Sequence, residues 1–344
     1  VKFGRVFGLL CGSAVAVTVL VPATASAEPG VRQLPALPGG SASGAWGVNN
    51  SGAAAGWSNT GNTSHGVRWT AEGTAVDLGT LPGDTGSSAT AINNSGTVVG
   101  RSSSSGADHA VRWGSDGVIK QLAALEGTTY CTAEAISDFE VAAGHCGASW
   151  ASYEGRAVRW SWDGTVTELP ALPGDKFSSA LKVNRAGTAV GYSTTPGYVS
   201  RPVRWSADGT VTALPLLPGG ESGKARGLTE SGVVVGTVWV YRNGHGVNHA
   251  VRWNTDGTVT DLGVLPGTTD AQSEAYAVNA DGTVVGETQD AQGRYTAVRW
   301  AADGTATNLG LLPNAVEGSI TFATAVNDGG LVVGSSSANA VRWG

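Results

Sequence analysis

Apolar and polar positions alternate over short runs along this chain, and turn residues break each run before a helix could form. The stretch "AINNSGTVVGRSSSSGADHAVRWGSDGVIKQL", residues 91–122, is representative. Nothing in it shows the 3.6-residue apolar period of an amphipathic helix. It reads as four short strands. The first two are joined by N-x-x-G, which suits a type I turn with Gly in the left-handed position. The last two are joined by x-x-D-G, a second hairpin signal.

The same unit recurs through the chain. Its "VRW" tripeptide places tryptophans at Trp69, Trp113, Trp160, Trp205, Trp253, Trp300 and Trp343, with spacings of 44, 47, 45, 48, 47 and 43. Four antiparallel strands per ~45-residue repeat mark a β-propeller blade. "VRQLPALPG" near the start is a fourth strand without the other three, and "VNDGGLVVG…VRWG" at the end is three strands without the fourth. The two fragments make one unit. The expectation is therefore an all-β, seven-bladed β-propeller of four-stranded antiparallel blades, its ring closed by the N-terminal strand completing the C-terminal blade and leaving no free edge. A β-solenoid or a pair of sandwiches accounts less well for the even spacing and the split repeat.

Spacing also separates frame from candidate site. The Trp of "VRW" precedes the Pro position of "LPG" by 13 residues in all six complete cases, and the Asn position of "VN" precedes the Gly of "VVG" by 7 in all seven. The other two connections vary in length. They belong to the opposite face, and binding residues concentrate on loops shown by a rigid frame. The aromatic and histidine residues expected there include Trp57, His65, His109, Tyr192 and Tyr295, and also Trp150, Tyr153, Tyr198, Trp239, Tyr241, His245 and His249, these last seven forming the candidate ligand-binding set. The longest and richest loop is "TVWVYRNGHGVNHA". Flat aromatics at a rim suit stacking on a sugar or a protein partner. The repeated "VRW" Trp is instead expected in the core, and its Arg in a local pair with a carboxylate or a backbone carbonyl.

Residues 1–27 stand outside the repeats. Lys2 and Arg5 precede an apolar run from Val6 to Val21, then Ala25-Ser26-Ala27, the layout of a secretory signal peptide. The apolar run is short of the ~20 residues that a spanning helix needs. Removing Lys2 and Arg5 takes the formal charge of −6 to −8. The expectation is a single propeller domain over residues 28–344, extracellular, with no membrane association after cleavage. No basic run interleaves with aromatics, so nucleic acid is not an expected partner. Cys131 and Cys146 remain, and an oxidising compartment favours a disulfide between them. If Asp138-Phe139 form a two-residue turn, the cysteines face each other; if a bulge is kept, they are offset by one.

"HAVRW" at 109–113 and 249–253, with A-x-N-x-x-G-x-V-V-G before it and D-G…L-G-x-L-x-G after, resembles the bacterial extracellular repeat proteins named for a His-Ala-Phe motif, the HAF family. Val replaces the Phe here. The His occurs only at His109 and His249, whereas Arg-Trp stands in all seven units. The likeness covers residues from about 31 to 344. It implies a secreted repeat protein and no established catalytic activity. The blade layout is also similar to WD-type propellers, although Trp162-Asp163 is a lone coincidence.

Motifs for chemistry are absent: there is no G-x-S-x-G, no H-E-x-x-H and no paired C-x-x-C. No cofactor, metal site or catalytic residue is expected, and the chain reads as a non-enzymatic binding module for an extracellular glycan or protein. The alternatives are a polymer-acting hydrolase with two carboxylates converging in the funnel, drawn from Glu154, Glu221, Asp270, Glu274 and Glu317, or a structural envelope component.

Overall fold

The computed structural model describes residues 30–148, 155–242, 244–268, 271–316 and 318–344. The leader, Trp150, Tyr153, Glu154, Asp270 and Glu317 lie outside the described residues. Among the described residues twenty-eight strands, β1 to β28, follow one another, and the fold is an all-β propeller of four-stranded antiparallel blades. Five separate four-stranded sheets form, not the seven counted from the repeats. The other eight strands make one sheet, in which Gly86–Gln121 (β6–β9) and Tyr130–Glu168 (β10–β13) are joined by a single parallel pair, Tyr130 with Asp108. The Asp108 amide donates there to the Thr129 carbonyl at 3.2 Å. At the chain ends, β1 (Val31–Gln33) pairs antiparallel with β28 (Asn339–Trp343), Val31 opposite Trp343.

The innermost strands are the "VN" strands: β2 (Ser43–Val48), β6 (Gly86–Ile92), β10 (Tyr130–Ile136), β14 (Phe177–Val183), β18 (Gly220–Leu228), β22 (Ser273–Val278) and β26 (Thr321–Val326). Residues from these strands line one cavity of about 170 Å³, among them Val48, Ile92, Ile136, Val183, Leu228, Val278 and Val326. Each of these strands carries a β-bulge against its neighbour. The unpaired extra residues are Trp46, Thr90, Glu134, Leu181, Arg226, Tyr276 and Thr324.

The bulge explains the "VVG" glycine. A Cβ on Gly191 would sit 2.0 Å from the Ser179 carbonyl oxygen, and Gly56, Gly100, Gly144, Gly236, Gly286 and Gly334 meet the same obstruction at 1.9–2.0 Å. The inner strand needs the room of a missing side chain, which is one reason a strand tolerates Gly.

Between units, the repeated polar residues make the joints. Asn49 accepts from the Ala53 amide of its own turn and donates to the Asn93 carbonyl one unit on, at 3.1 Å. Asn93, Asn279 and Asn327 do likewise, and Asn327 reaches the Asn49 carbonyl at 2.9 Å. The "VRW" arginines also serve backbone: Arg112 donates to the Glu140 carbonyl, Arg159 to Gly187, Arg252 to Gly282, Arg299 to Gly330 and Arg342 to Ala71. All seven "VRW" tryptophans are buried. The indole of Trp69 donates to the Pro35 carbonyl and that of Trp205 to Pro170, so each pins an "LP" segment.

Cys131 and Cys146 are disulfide-bonded and directly opposite. The turn keeps its neighbours' form, with Glu140 at φ 61° where they have Gly. The bulge at Glu134 absorbs the one-residue offset and brings the cysteines face to face.

Gly191→Ala is expected to cost at least ~2 kcal/mol through overpacking. Gly106→Ala, where a Cβ meets nothing within 4 Å, should stay within ~0.5 kcal/mol. Equal urea midpoints for the two variants would refute this account of the repeated glycine.

Candidate functional site

The bulge turns one residue of each inner strand out of the ladder, as bulges next to sites commonly do. Two positions earlier on that strand stands a residue paired directly with the one after the "VVG" glycine. These cross-strand pairs are Gly44 with Trp57, Ser88 with Arg101, Thr132 with His145, Ser179 with Tyr192, Lys224 with Thr237, Glu274 with Glu287 and Phe322 with Ser335. No two are alike, although the residues around them repeat. Individual chemistry therefore sits on the inner strands above the aliphatic throat.

A charged cleft of about 400 Å³ is lined by Tyr198, Glu221, Lys224, Arg226, Thr237, Trp239, Asn248 and Glu274. Arg226 and Glu274 form an ion pair at 3.3 Å, and Asn248 Nδ2 donates to the other Glu274 oxygen at 2.7 Å. The Arg226 guanidinium lies over the Tyr276 ring and the Lys224 ammonium over the Tyr192 ring, at 5.2 and 4.6 Å. Such contacts strengthen as water is excluded. Burial pushes the Lys224 ammonium below the ordinary lysine value; the Arg226 charge acts the same way and Glu274 opposes it.

Behind the cleft, Tyr276 donates its hydroxyl to Glu287 Oε1 at 2.8 Å. Glu287 is 6% exposed and its carboxyl is pushed up to about 7. Burial is the main cause; Glu274 adds to it, while the Tyr276 hydrogen bond and Arg226 oppose it. Burial, followed by the Glu287 and Glu274 charges, also raises the Tyr276 phenol. Three buried polar atoms in this group, Thr237 Oγ1, Arg226 Nε and Glu287 Oε2, have no hydrogen-bond partner among the described residues. Unpaired buried polar atoms are expensive, and a site that binds polar groups is one reason to keep them.

Of the residues singled out from sequence, Trp239 and Tyr198 line this cleft, as do Glu221 and Glu274 from the candidate carboxylates. The Trp239 indole lies over Gly246, where a Cβ would come within 2.1 Å. Tyr198 has φ 62° and its ring packs against Phe177 at 6.1 Å. Tyr241 is exposed, its ring centre 6.0 Å from that of Trp239. His245 and His249 are not in the cleft lining. The supposed loop is a long hairpin of β19 (Val234–Arg242) and β20 (His245–Trp253), with Arg242 paired with His245 at its tip. His249 Nδ1 meets Asp261 at 2.8 Å on the outer strand β21 (Val259–Asp261), a frame contact like that of His65 with Asp77. Trp150 and Tyr153 lie outside the described residues. Sequence reading missed Lys224, Arg226, Tyr276 and Glu287 because it searched loops and these are strand residues. The signal for Arg226 and Tyr276 is the variable position after the first Ala of the repeated inner strand, as in A-T-A-V; Lys224 precedes that Ala and Glu287 follows the "VVG" glycine.

No protein-family model matches the chain, and no curated protein matches it. Solved structures do. A streptogramin B lyase superposes with TM-score 0.56 at 14% identity, covering 91% of this chain and 97% of its own. Virginiamycin B lyase from Staphylococcus aureus gives 0.54 at 15%, covering 91% and 97%. An oligogalacturonate lyase from Vibrio parahaemolyticus gives 0.56 at 10%, covering 91% and 92%. These identities show the shared fold alone. They nevertheless overturn the expectation of a non-enzyme, because propellers of this build include lyases, and a missing motif does not set this chain apart from them.

Glu287 supplies a test of the site's electrostatics. Its folded value lies above the ordinary 4.5. From about pH 4.5 to 7 the folded protein therefore keeps a proton that the unfolded chain has released, and stability falls as pH rises through that window. The loss is roughly 3 kcal/mol at most. Glu287→Gln should flatten this slope and be more stable than the parent at about pH 8. Urea unfolding of both proteins across that window measures it, and parallel curves would contradict the assignment.

Proposed function

We propose that this chain is a secreted binding module that takes an acidic extracellular glycan into the cleft between Tyr198 and Trp239. The reading includes the leader over residues 1–27, a place among the HAF-type repeat proteins, and a ring of seven blades. The blade count takes the eight-stranded sheet as two blades, and the pairing of β1 with β28 as the split unit that joins the chain ends. The Cys131–Cys146 disulfide fits an oxidising compartment. No helix among the described residues is long and apolar enough to cross a membrane.

The observation that carries the ligand class is the pair of unpartnered buried donors, Arg226 Nε and Thr237 Oγ1, in a cleft with Lys224 and two aromatic rings. Guanidinium and ammonium groups suit carboxylate recognition, and aromatic faces suit the apolar face of a sugar ring. A second reading, an enzyme acting on the same ligand, is favoured by Glu287. A carboxyl titrating near neutral pH beside a phenol and a second carboxylate can give or take a proton at working pH.

Uronic-acid oligomers are expected to raise the melting temperature in a dose-dependent way and to bind more weakly as salt rises. Arg226→Ala or Trp239→Ala should each weaken binding roughly tenfold or more with the fold intact. Absence of any shift with acidic oligomers would overturn the ligand class. Chain cleavage that the parent catalyses and Glu287→Gln does not would select the enzyme.

A further inference from the structure

We propose a second ligand subsite on the same face, formed by Trp46 and Trp57, that binds an uncharged pyranose ring. It rests on a separate cleft and does not depend on the acidic-glycan reading. The cleft is about 700 Å³ and lies between β2 and its neighbour β6, with Trp46, Trp57, Ser88, Arg101, Ser103 and Ser104 in its wall.

Trp46 is the bulged residue of β2, turned out of the ladder and 37% exposed. The equivalent residue of β6 is Thr90, so this indole belongs to one unit and is not demanded by the frame. Trp57 is half-buried and lies over Gly44, where a Cβ would come within 2.6 Å of its Nε1. At that position the other inner strands carry side chains, from Ser88 to Phe322. Gly44 thus gives Trp57 its seat, as Gly246 does for Trp239.

Ser88 supplies the independent sign of a ligand. Its hydroxyl is buried, the residue is 9% exposed, it lines the cleft, and Oγ has no hydrogen-bond partner among the described residues. Ser87 beside it is fully engaged, accepting from the Gly66 amide and donating to the Gly79 carbonyl. The charge points to a neutral guest. Among the described residues no carboxylate lines the cleft, and the one cation there, Arg101, already faces Asp108 at 3.7 Å. Two indoles and several serine hydroxyls in the wall of one cleft match a sugar ring, whose C–H faces stack while its hydroxyls bond at the edge.

Calorimetric titration of the full protein with cellohexaose, xylohexaose and maltohexaose tests the proposal. At least one is expected to bind. Trp46→Ala and Trp57→Ala should each weaken it roughly tenfold, and Gly44→Ala, which displaces the Trp57 ring, should weaken it as well. Trp46 is exposed, so its variant should keep the parent's melting temperature and remain interpretable if Trp57→Ala unfolds. Arg226→Ala should bind the neutral oligomer like the parent, so failure of this subsite and failure of the acidic cleft are told apart. No binding of any neutral hexamer, or binding that Trp46→Ala leaves unchanged, would overturn the subsite.

Discussion

Close approach of two backbones at one glycine organises this molecule. In every unit the inner strand bulges towards the second strand, so that its carbonyl occupies the space a Cβ would need. Glycine there allows the bulge, and the bulge takes a single residue out of the hydrogen-bonded ladder. The backbone cost is that of a strand glycine. In return each unit offers one side chain at the centre of the molecule whose identity the frame does not dictate.

The rest of the repeat serves to hold these positions still. Buried "VRW" tryptophans fill the space against the "LP" segments, and the arginines between Val and Trp tie one unit to backbone carbonyls of the next. Asn49, Asn93, Asn279 and Asn327 of the N-x-x-G turns add a second tie. These groups act on backbone, which every unit shares, so they repeat. Charged cleft residues such as Arg226 and Glu274 act on each other and on a ligand, so they do not. Unpaired buried atoms occur in both parts among the described residues: the frame leaves Nε of Arg112, Arg204, Arg252 and Arg299 without a partner, and Ser88 and Thr237 do the same in the walls of open clefts.

Much of the frame was legible in the chain. Alternation, turn residues and spacing gave strands, hairpins and a propeller, and the alternation of Val, Arg and Trp separated buried from carbonyl-bound side chains. Sheet pairing was less legible, because Asp108 and Tyr130 join two groups of strands through a contact that no turn motif encodes. The site was only half legible. Trp239 and Tyr198 were found as rim aromatics, but His249 was misplaced because its segment continues a strand pair, which sends its ring to Asp261. Arg226, Tyr276 and Trp46 were overlooked because local spacing does not reveal that a strand residue is bulged, and Lys224 because it stands on a strand and not on a loop. Aligning the repeats on their Asn and Gly positions exposes them, since these columns alone vary between fixed small residues.

The central claim is that frame and site are separable, the bulged residue being free to change while its glycine is not. Thermal unfolding of a triple variant, Trp46→Thr, Leu181→Thr and Arg226→Thr, tests this most directly, because two other units already carry Thr there, at Thr90 and Thr324. The account predicts one cooperative transition within a few degrees of the parent's, with an unchanged near-ultraviolet spectrum of the buried tryptophans. A broad transition, or a fall of more than ~10 °C, would show that the bulged side chains hold the fold together and would contradict it.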